Sequence, residues 1–309
     1  MDVLDLVIVG AGPAGITAAI YAKRASINFA LYEKSFVGGN VVNAFEIENY
    51  PGYAKINGAD LAMQFNSNLT ELNIDVNYDE VTKISKENDI FSLETAYSGT
   101  LHAKKVLLAL GTKSKKLGLP NEDQFMGRGI STCATCDGNF YKGKDVLVVG
   151  GGNTAIEDAL YLANITKKVY LVHRRDTFRA DFKSIQLLKE KKNVEFIYQS
   201  NVTKINGKDK LESVEITNNQ GEKKVIKIDG LFIAIGQVPQ NECFKNTIKV
   251  DDNGYVLAKE NCHTNKKGIF VAGDVRRKSL RQLVTAISDG AVAATEAIKY
   301  LDNMQLTKK

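Results

Sequence analysis

The chain contains one short pattern twice, and this internal repeat limits the possible folds more than any other feature. The first copy reads DLVIVGAGPAGITAAIYAKR over residues 5–24, and the second reads DVLVVGGGNTAIEDALYLAN over residues 145–164. Each copy begins with an apolar, β-branched run, which is typical of a buried strand in a parallel sheet. Apolar residues at helical spacing follow, and a second apolar run (FALYE or VYLVH) closes each copy. Each copy is therefore predicted to form a strand–turn–helix–strand unit of an α/β protein.

The glycines of each copy fit a turn that holds a dinucleotide pyrophosphate. The first permits the tight turn, the second lets the backbone approach the phosphates, and the third position lets the helix pack closely on the strand. These positions are Gly10, Gly12 and Gly15 in the first copy, and Gly150, Gly152 and Ala155 in the second. The helix N-terminus would offer its N–H groups and partial positive charge to the phosphates. Two such turns in the same context predict two dinucleotide sites, and a duplicated scaffold without ligands is the alternative.

The two copies differ where the second strand ends, which is where the ribose of a dinucleotide would lie. The first copy has Glu33, whose carboxylate can accept hydrogen bonds from ribose hydroxyls and would repel a 2′-phosphate. The second has His173 at the matching position, followed by Arg174, Arg175 and Arg179. Guanidinium groups bind phosphate bidentately and stay charged, so this segment predicts NADP(H) rather than NAD(H). A solvated basic turn is the alternative interpretation.

The C-terminal segment favours FAD in the first site. The run IFVAGD predicts a strand ending in Gly273 and Asp274, whose carboxylate can bind a ribityl hydroxyl. A long amphipathic helix is predicted to begin near Leu280, with its N-terminus at the flavin pyrimidine edge. This segment resembles the second FAD motif of two-dinucleotide flavoprotein reductases. Because the two FAD motifs lie at opposite ends of the chain, the NADPH unit must be inserted between them.

The predicted fold is therefore α/β, with two Rossmann-like dinucleotide-binding domains, the second inserted into the first and each with a β-meander. The expected domains are 1–114 and 242–309 for FAD, and 115–241 for NADPH and the redox dithiol. The expected meanders are 74–105 and 193–229, and the expected further helices are 61–72 and 181–191. Because the chain would cross between the domains twice, we expect a hinge at the crossings.

Bulk composition excludes several classes of protein. The net charge of +5 on 309 residues is mild, and the sequence contains no block of five like charges that would suggest a nucleic-acid-binding tail. The N-terminus lacks a basic region, so a signal peptide is not expected, and no apolar run reaches the ~18 residues of a membrane span. Four cysteines are too few for a secreted disulfide framework. We expect a cytoplasmic protein with no nucleic-acid or membrane partner.

Cys133 and Cys136 form a Cys-x-x-Cys motif that is followed at once by Asp137. Zinc would need two further ligands, but Cys243 and Cys262 are isolated and the three histidines form no cluster, so no metal site is predicted. A structural disulfide that closes a two-residue loop would constrain the chain little. A redox dithiol is therefore favoured, since such pairs exchange rapidly. Asp137 is a candidate for proton handling, and a simple turn acid is the alternative.

Taken in order, these motifs resemble the low-molecular-weight, bacterial-type NADPH-dependent thioredoxin reductases. The matching segments are GAGPAG, GGN…EIENYPG, GLP…GRGISTCATCDG, GGGNTAIEDALYL, HRRDTFRA, AIGQVP and GDV…RQLVTAISDGA. They span essentially the whole chain. The resemblance implies an FAD-containing homodimer that passes electrons from NADPH, through the flavin and the disulfide, to thioredoxin or a thioredoxin-like protein.

The resemblance also assigns individual residues. It implies that Cys136 faces the flavin and that Cys133 attacks thioredoxin. The residues that it implies along the FAD are Gly39, Asn40, Asn49, Asp274, Arg281 and Gln282. The further candidate cofactor residues are Pro13, Ala14, Lys34, Gly111 and Thr112 at the first site, and Asn153, Thr154 and Gly236 at the second.

Two other functions remain open. Some reductases of this general shape take electrons from ferredoxin or reduced flavodoxin, but those look depleted in the NADPH motif that this chain keeps. The basic run at 276–278 (RRK) leaves room for an unusual acidic partner. A non-catalytic flavin-binding redox sensor is an alternative of a different class.

Overall fold

The structure, a computed structural model, describes residues 3–44, 47–244 and 247–306. Glu46 of the EIENYPG segment lies outside the described residues. The strands are β1 (Val3–Val9), β2 (Phe29–Glu33), β3 (Val76–Tyr78), β4 (Val81–Glu87), β5 (Ile90–Thr95), β6 (Thr100–Leu108), β7 (Thr112–Ser114), β8 (Ile130–Ser131), β9 (Asp145–Gly150), β10 (Lys168–Val172), β11 (Val194–Ile197), β12 (Ser200–Gly207), β13 (Leu211–Asn218), β14 (Lys223–Lys227), β15 (Gly230–Ala234), β16 (Gln237–Pro239) and β17 (Ile269–Val271). The helices are α1 (Pro13–Arg24), α2 (Gly58–Glu71), α3 (Glu122–Phe125), α4 (Ala134–Asp137), α5 (Asn153–Ala163), α6 (Phe182–Lys189) and α7 (Leu283–Leu306). Short 3-10 turns cover Gly39–Asn43, Gly138–Tyr141, Glu242–Phe244 and Gly273–Val275.

The chain folds into two compact units. The first consists of Met1–Val42, Ile56–Lys113 and Val238–Lys309, and the second of Asn43–Lys55 and Ser114–Gln237. Strands β7 and β16 pair with each other, and the chain passes from one unit to the other within them.

The first unit is built on a mixed sheet with the strand order β3-β2-β1-β6-β5-β4, and β17 also pairs with β6. Strands β3, β2, β1, β6 and β17 run parallel, whereas β5 and β4 continue from β6 as an antiparallel meander. Strand β1 is buried from Leu6 to Val9, so both faces of the sheet are covered at its centre. On one face, Val7 and Val9 pack in the cluster that includes Phe91 of the meander. Helix α1 contacts β1 and α7 contacts β6, and the two helices pack against each other.

The second unit repeats this plan with a parallel sheet of order β11-β10-β9-β15-β8 and a separate antiparallel sheet of order β12-β13-β14. Strand β9 shows the period-two pattern of a strand covered on both faces. Leu147 and Val149 pack in the cluster that contains the β12-β13-β14 sheet, whereas Val146 and Val148 pack in the cluster of α5. Each fully buried aliphatic side chain contributes about 1.5–3 kcal/mol, so this unit has a substantial core of its own.

The structure confirms the predicted α/β architecture and moves several predicted boundaries. Val76–Tyr78 and Val194–Ile197 were expected in the meanders, but each extends a parallel sheet instead. The reason is that a short strand after a helix can pair with the neighbouring parallel strand, which local alternation does not reveal. The C-terminal helix begins at Leu283 rather than near Leu280, because Arg281 and Gln282 belong to the preceding turn. None of the helices in the described residues combines the length and the hydrophobicity that a membrane span requires.

Candidate functional site

A cavity of about 340 Å³ lies in the first unit, where β1, β2, β6 and β17 end. This is the position at which open α/β sheets bind ligands, because the carboxyl ends of parallel strands meet at one edge. The predicted cofactor residues that line the cavity are Gly10, Gly12, Pro13, Ala14, Glu33, Lys34, Gly39, Asn40, Gly111, Thr112, Gly273 and Asp274.

Glycines leave the backbone of the turn between β1 and α1 uncovered by side chains. Gly10 has φ +104°, and a Cβ there would lie 2.9 Å from the carbonyl carbon of Ala109, so only glycine fits. Gly12 is the N-cap of α1, and no side chain caps this helix end. A Cβ on Gly12 would lie 3.9 Å from the Cα of Gly39, across the cavity wall. The bare helix N-terminus is therefore open to a pyrophosphate.

The Glu33 carboxylate is fixed at the cavity wall by two backbone groups. The N–H of Ala11 donates to Oε2 at 2.7 Å, and the N–H of Ser35 donates to Oε1 at 2.9 Å. Each carboxylate oxygen can accept a further hydrogen bond. A ribose diol therefore meets a carboxylate that is already oriented.

Asp274 supplies a buried acceptor at the opposite part of the cavity. Among the described residues its buried Oδ1 atom accepts no hydrogen bond, although the Nζ of Lys278 forms an ion pair with it at 3.3 Å. Burial raises the pKa of Asp274, and the positive charge of Lys278 partly opposes this shift. A hydroxyl donor in the cavity would satisfy the orphaned oxygen. The oriented Glu33, the uncapped turn and this acceptor together fit FAD.

Asp289 holds the turn that carries Asp274. Its carboxylate accepts hydrogen bonds from the backbone N–H of Gly273 at 3.0 Å, from Arg276 at 3.0 Å and from Lys278 at 3.1 Å. All three charged side chains are nearly buried, so the contacts are protected from screening. Two cations of the RRK run are therefore engaged inside the first unit.

Some residues predicted to bind FAD do not line the cavity. Gly15 lies beneath α1, where a Cβ would overlap the carbonyl oxygen of Gly10, so its role is packing. The Nε of Arg281 donates to the carbonyl oxygen of Asp274 at 3.3 Å, and Gln282 follows just before α7. Asn49 lies in Asn43–Lys55, which belongs to the second unit.

Asp79 and Gln240 also line the cavity, but they were not predicted from the sequence. Asp79 is 5% exposed, and its carboxylate accepts backbone N–H groups of residues 96–98. Gln240 donates from Nε2 to the carbonyl oxygen of Leu110 at 2.9 Å. Both residues lie in irregular segments, so no periodic pattern could have indicated them.

The second unit has a matching turn between β9 and α5. Gly150 has φ +159°, and Gly152 is the N-cap of α5, again without a side-chain cap. The backbone N–H of Arg179 donates to the carbonyl oxygen of Gly151 at 2.7 Å. This bond ties the arginine-containing segment to the glycine turn.

His173 and the three arginines follow the end of β10. His173 is 9% exposed, and its Nε2 lies 3.1 Å from the carbonyl oxygen of Thr177. Burial lowers the pKa of His173, and the charges of Arg175, Arg174 and Arg179 lower it further. The imidazole is therefore neutral near pH 7. Over the described residues, none of the three guanidinium groups forms an ion pair, so all three are available to a phosphate.

The remaining predicted residues of the second site are placed around the same turn. Ala155 is fully buried at the position that matches Gly15. Asn153 accepts the backbone N–H of Asp181 at its Oδ1 atom, and Thr154 is exposed in the first turn of α5. Gly236 has φ +103° and lies beyond the end of β15.

Cys133 and Cys136 form a disulfide in the second unit, with their Cα atoms 5.3 Å apart. Cys133 is the N-cap of α4, and Asp137 is the last residue of this helix. Over the described part of the chain, no cluster of three or more His, Cys, Asp or Glu side chains could hold a metal ion. The other two cysteines are free thiols, and burial raises the pKa of Cys243 to about 12 and that of Cys262 to about 11.

Asp137 is held by one hydroxyl. Its Oδ2 accepts a hydrogen bond from the Oγ of Ser131 at 2.6 Å, whereas its buried Oδ1 has no hydrogen-bond partner in the part of the chain that the structure describes. Burial raises the pKa of Asp137, and the hydrogen bond from Ser131 partly opposes the shift. The sequence did not indicate Ser131. The sequence feature that could have pointed to it is a hydroxyl residue two positions before the first cysteine.

Comparison with known proteins shows the family to which the chain is similar. A family model described as "Pyridine nucleotide-disulphide oxidoreductase" matches residues 4–290. A thioredoxin reductase of Mycoplasma genitalium is 44% identical, and the alignment covers 94% of this chain and 93% of that protein. The crystal structure of a thioredoxin reductase from Streptococcus pyogenes has a TM-score of 0.91 at 40% identity and covers 97% of this chain and 99% of the other.

A ferredoxin-flavin thioredoxin reductase from Clostridium acetobutylicum is less similar. Its crystal structure has a TM-score of 0.54 at 31% identity, over 97% of this chain and 98% of the other.

Proposed function

Because this chain belongs to the pyridine nucleotide-disulphide oxidoreductases and, within them, to the thioredoxin reductases, we propose that it passes electrons from NADPH, through FAD and the Cys133–Cys136 disulfide, to thioredoxin or a thioredoxin-like protein. One observation carries the proposal. The disulfide lies in the same unit as a glycine turn and three arginines that form no ion pair among the described residues, and the other unit holds a cavity with an oriented acid, Glu33.

The first unit binds FAD. The N-terminus of α1 faces the pyrophosphate, Glu33 binds the adenosine ribose, and Asp274 accepts a hydrogen bond from a ribityl hydroxyl. Arg281 orders the Asp274 turn through the backbone, and Gln282 and Asn49 contribute as the family implies. FAD bound by these residues would supply the two-electron redox chemistry that links NADPH to the disulfide.

The second unit binds NADPH. The N-terminus of α5 faces its pyrophosphate, and Arg174, Arg175 and Arg179 bind the 2′-phosphate. The neutral His173 packs beneath the turn, where a Cβ on Gly151 would overlap its ring. The backbone of Arg179 is fixed to this turn, which reduces the entropy that phosphate binding must overcome.

The reduced dithiol transfers its electrons to thioredoxin by thiol–disulfide exchange. The Cys133 thiolate attacks one sulfur of the thioredoxin disulfide, which forms a mixed disulfide and releases the other thioredoxin sulfur as a thiolate. Cys136 then attacks the Sγ of Cys133, which restores the Cys133–Cys136 disulfide and releases the second thioredoxin thiolate. Asp137 takes up and gives back protons as these thiolates form and leave.

Steady-state turnover tests the proposal. Oxidised thioredoxin should make the enzyme consume NADPH at a sustained rate, and Cys133→Ser and Cys136→Ser should each abolish this consumption. Reduced ferredoxin or flavodoxin, supplied in place of NADPH, tests the second electron source. Turnover with those donors and none with NADPH would contradict the proposal, and absence of turnover with any donor would favour a redox sensor.

We further propose that the enzyme is a cytoplasmic homodimer. The support is its resemblance to the bacterial-type reductases. Sedimentation of the holoenzyme at several concentrations measures the oligomeric state, and a persistent monomer would contradict a dimer.

A further inference from the structure

Ser131 joins the candidate acid to the first cysteine. It is the last residue of β8 and is 3% exposed. Its Oγ lies 2.6 Å from Oδ2 of Asp137, accepts the backbone N–H of Cys133 at 3.1 Å, and lies 3.3 Å from the carbonyl oxygen of Cys133. Building on the proposed function, we propose that Ser131 is a positioning residue that holds the Asp137 carboxyl in place in both its ionised and its protonated form.

The hydroxyl satisfies either form because it has one donor and two acceptor sites. When Asp137 is ionised, the hydroxyl of Ser131 donates to Oδ2 while its oxygen accepts the N–H of Cys133. When Oδ2 carries a proton, the acid donates to Ser131 Oγ, and the serine hydrogen rotates to the carbonyl oxygen of Cys133. Asp137 can therefore give its proton to a thiolate and become a carboxylate while it keeps its hydrogen bond to Ser131.

Asp137 depends on this contact. Over the described residues, its Oδ1 has no hydrogen-bond partner, so loss of Ser131 would leave the side chain without an anchor. The acid also lines a second cavity of about 340 Å³ in the same unit. The charged and titratable groups around this cavity are Arg128, Tyr141, Lys144, Asp209, Lys210 and Asp229. The two cysteines belong to the same short helix as the acid, with Cys133 at its N-cap and Cys136 directly before Asp137.

Removal of the hydroxyl should change the pH dependence in a defined direction. Burial raises the pKa of Asp137 and the Ser131 hydrogen bond lowers it, so Ser131→Ala should raise this pKa further. A proton donor is active below its pKa. The alkaline limb of the pH profile for thioredoxin reduction should therefore move to higher pH, while the rate falls because the acid is less well placed.

The test uses the FAD-loaded enzyme, reduced with NADPH and mixed rapidly with oxidised thioredoxin across the neutral and alkaline range. General acids contribute about 10²–10⁴-fold, so Asp137→Asn should lose at least about 100-fold and Ser131→Ala about tenfold. In the Asp137→Asn background, Ser131→Ala should have no further effect. Ser200→Ala removes a similarly buried hydroxyl of the same unit, which donates to Tyr198, and should keep the wild-type profile.

A second measurement needs no thioredoxin. Infrared spectra of the oxidised enzyme, with Asp137→Asn as the reference, follow the carboxyl of Asp137 directly and should show a higher pKa in Ser131→Ala. The role of Ser131 would be overturned if Ser131→Ala left the pKa of the Asp137 carboxyl and the pH profile unchanged. It would also be overturned if Ser131→Ala lowered the rate by the same factor in Asp137→Asn as in the wild-type enzyme. Wild-type enzyme that fails to reduce thioredoxin would contradict the proposed function instead, and the infrared result would still decide the role of Ser131.

Discussion

Among single residues, we propose that the three arginines after β10 determine the choice of coenzyme. Changing both Arg174 and Arg175 to Gln should raise the KM for NADPH by roughly 100-fold or more, because each lost charged hydrogen bond costs about 1.5–3 kcal/mol. The KM for NADH should change little, since NADH lacks the 2′-phosphate.

Steady-state kinetics with both coenzymes measures this selectivity. Lys192→Gln is a suitable control, because Lys192 is exposed and precedes the N-terminal end of β11, whereas the arginines follow the C-terminal end of the parallel neighbour β10. Equal losses for NADPH and NADH in the arginine variant would refute the assignment.

The two cysteines of the dithiol should have unequal roles. In Cys136→Ser, Cys133 should form a stable mixed disulfide with a thioredoxin that lacks its own resolving cysteine, because no second thiol releases it. Non-reducing electrophoresis and mass spectrometry identify the linked residue. Trapping through Cys136 in Cys133→Ser, with none through Cys133 in the other variant, would reverse the assignment.

Among single residues, the sequence predicted those whose chemistry follows from local spacing along the chain. The glycine turns, Glu33 and the Cys-x-x-Cys pair were all predicted, and twelve predicted cofactor residues line one cavity. Asp79 was missed because its hydrogen bonds to residues 96–98 join irregular segments, and Ser131 was missed because its contact with Asp137 depends on how the chain turns between β8 and α4. Spacing along the chain does not encode such contacts.

Among elements, the fit of α1 on the first sheet depends on Gly15. A Cβ there would overlap the backbone carbonyl of Gly10, so Gly15→Ala should push α1 away from the turn that faces the pyrophosphate. The protein should lose FAD on purification or bind it much more weakly. Binding of FAD to the apoprotein, followed by flavin fluorescence, measures the effect.

The second unit offers the matched control. Alanine already occupies position 155 there and is fully buried, so Ala155→Gly should cost only about 1 kcal/mol of helix stability and leave FAD binding unchanged. If Gly15→Ala kept full affinity for FAD, α1 would tolerate alanine at this position as α5 does, which would contradict the packing argument.

The elements that the sequence predicted well are those with strong local periodicity. Strands β1 and β9 and helices α1 and α5 were all expected from the repeat. Strands β3 and β11 were assigned to meanders because a run of three or four residues carries no signal of its sheet partner. The start of α7 was placed too early, since the apolar Leu280 precedes a turn that is ordered by tertiary hydrogen bonds.

For the whole molecule, the two units divide the chemistry between them. The first contains the FAD-type cavity, and the second contains both the NADPH-type turn and the disulfide. On this account, the second unit would hold NADPH and contains the disulfide, and FAD held by the first unit would supply the redox link between them. The repeat in the sequence explains this division, because duplication supplies two phosphate-binding turns whose ribose-binding ends then differ.

An anaerobic visible spectrum tests this electron path most directly. NADPH should bleach the flavin absorbance of the purified protein far more efficiently than NADH does, and oxidised thioredoxin added afterwards should restore the absorbance. The Cys133→Ser variant should still bleach with NADPH but should not recover with thioredoxin. Flavin that NADPH leaves oxidised, or flavin that is reduced but does not respond to thioredoxin, would contradict the account.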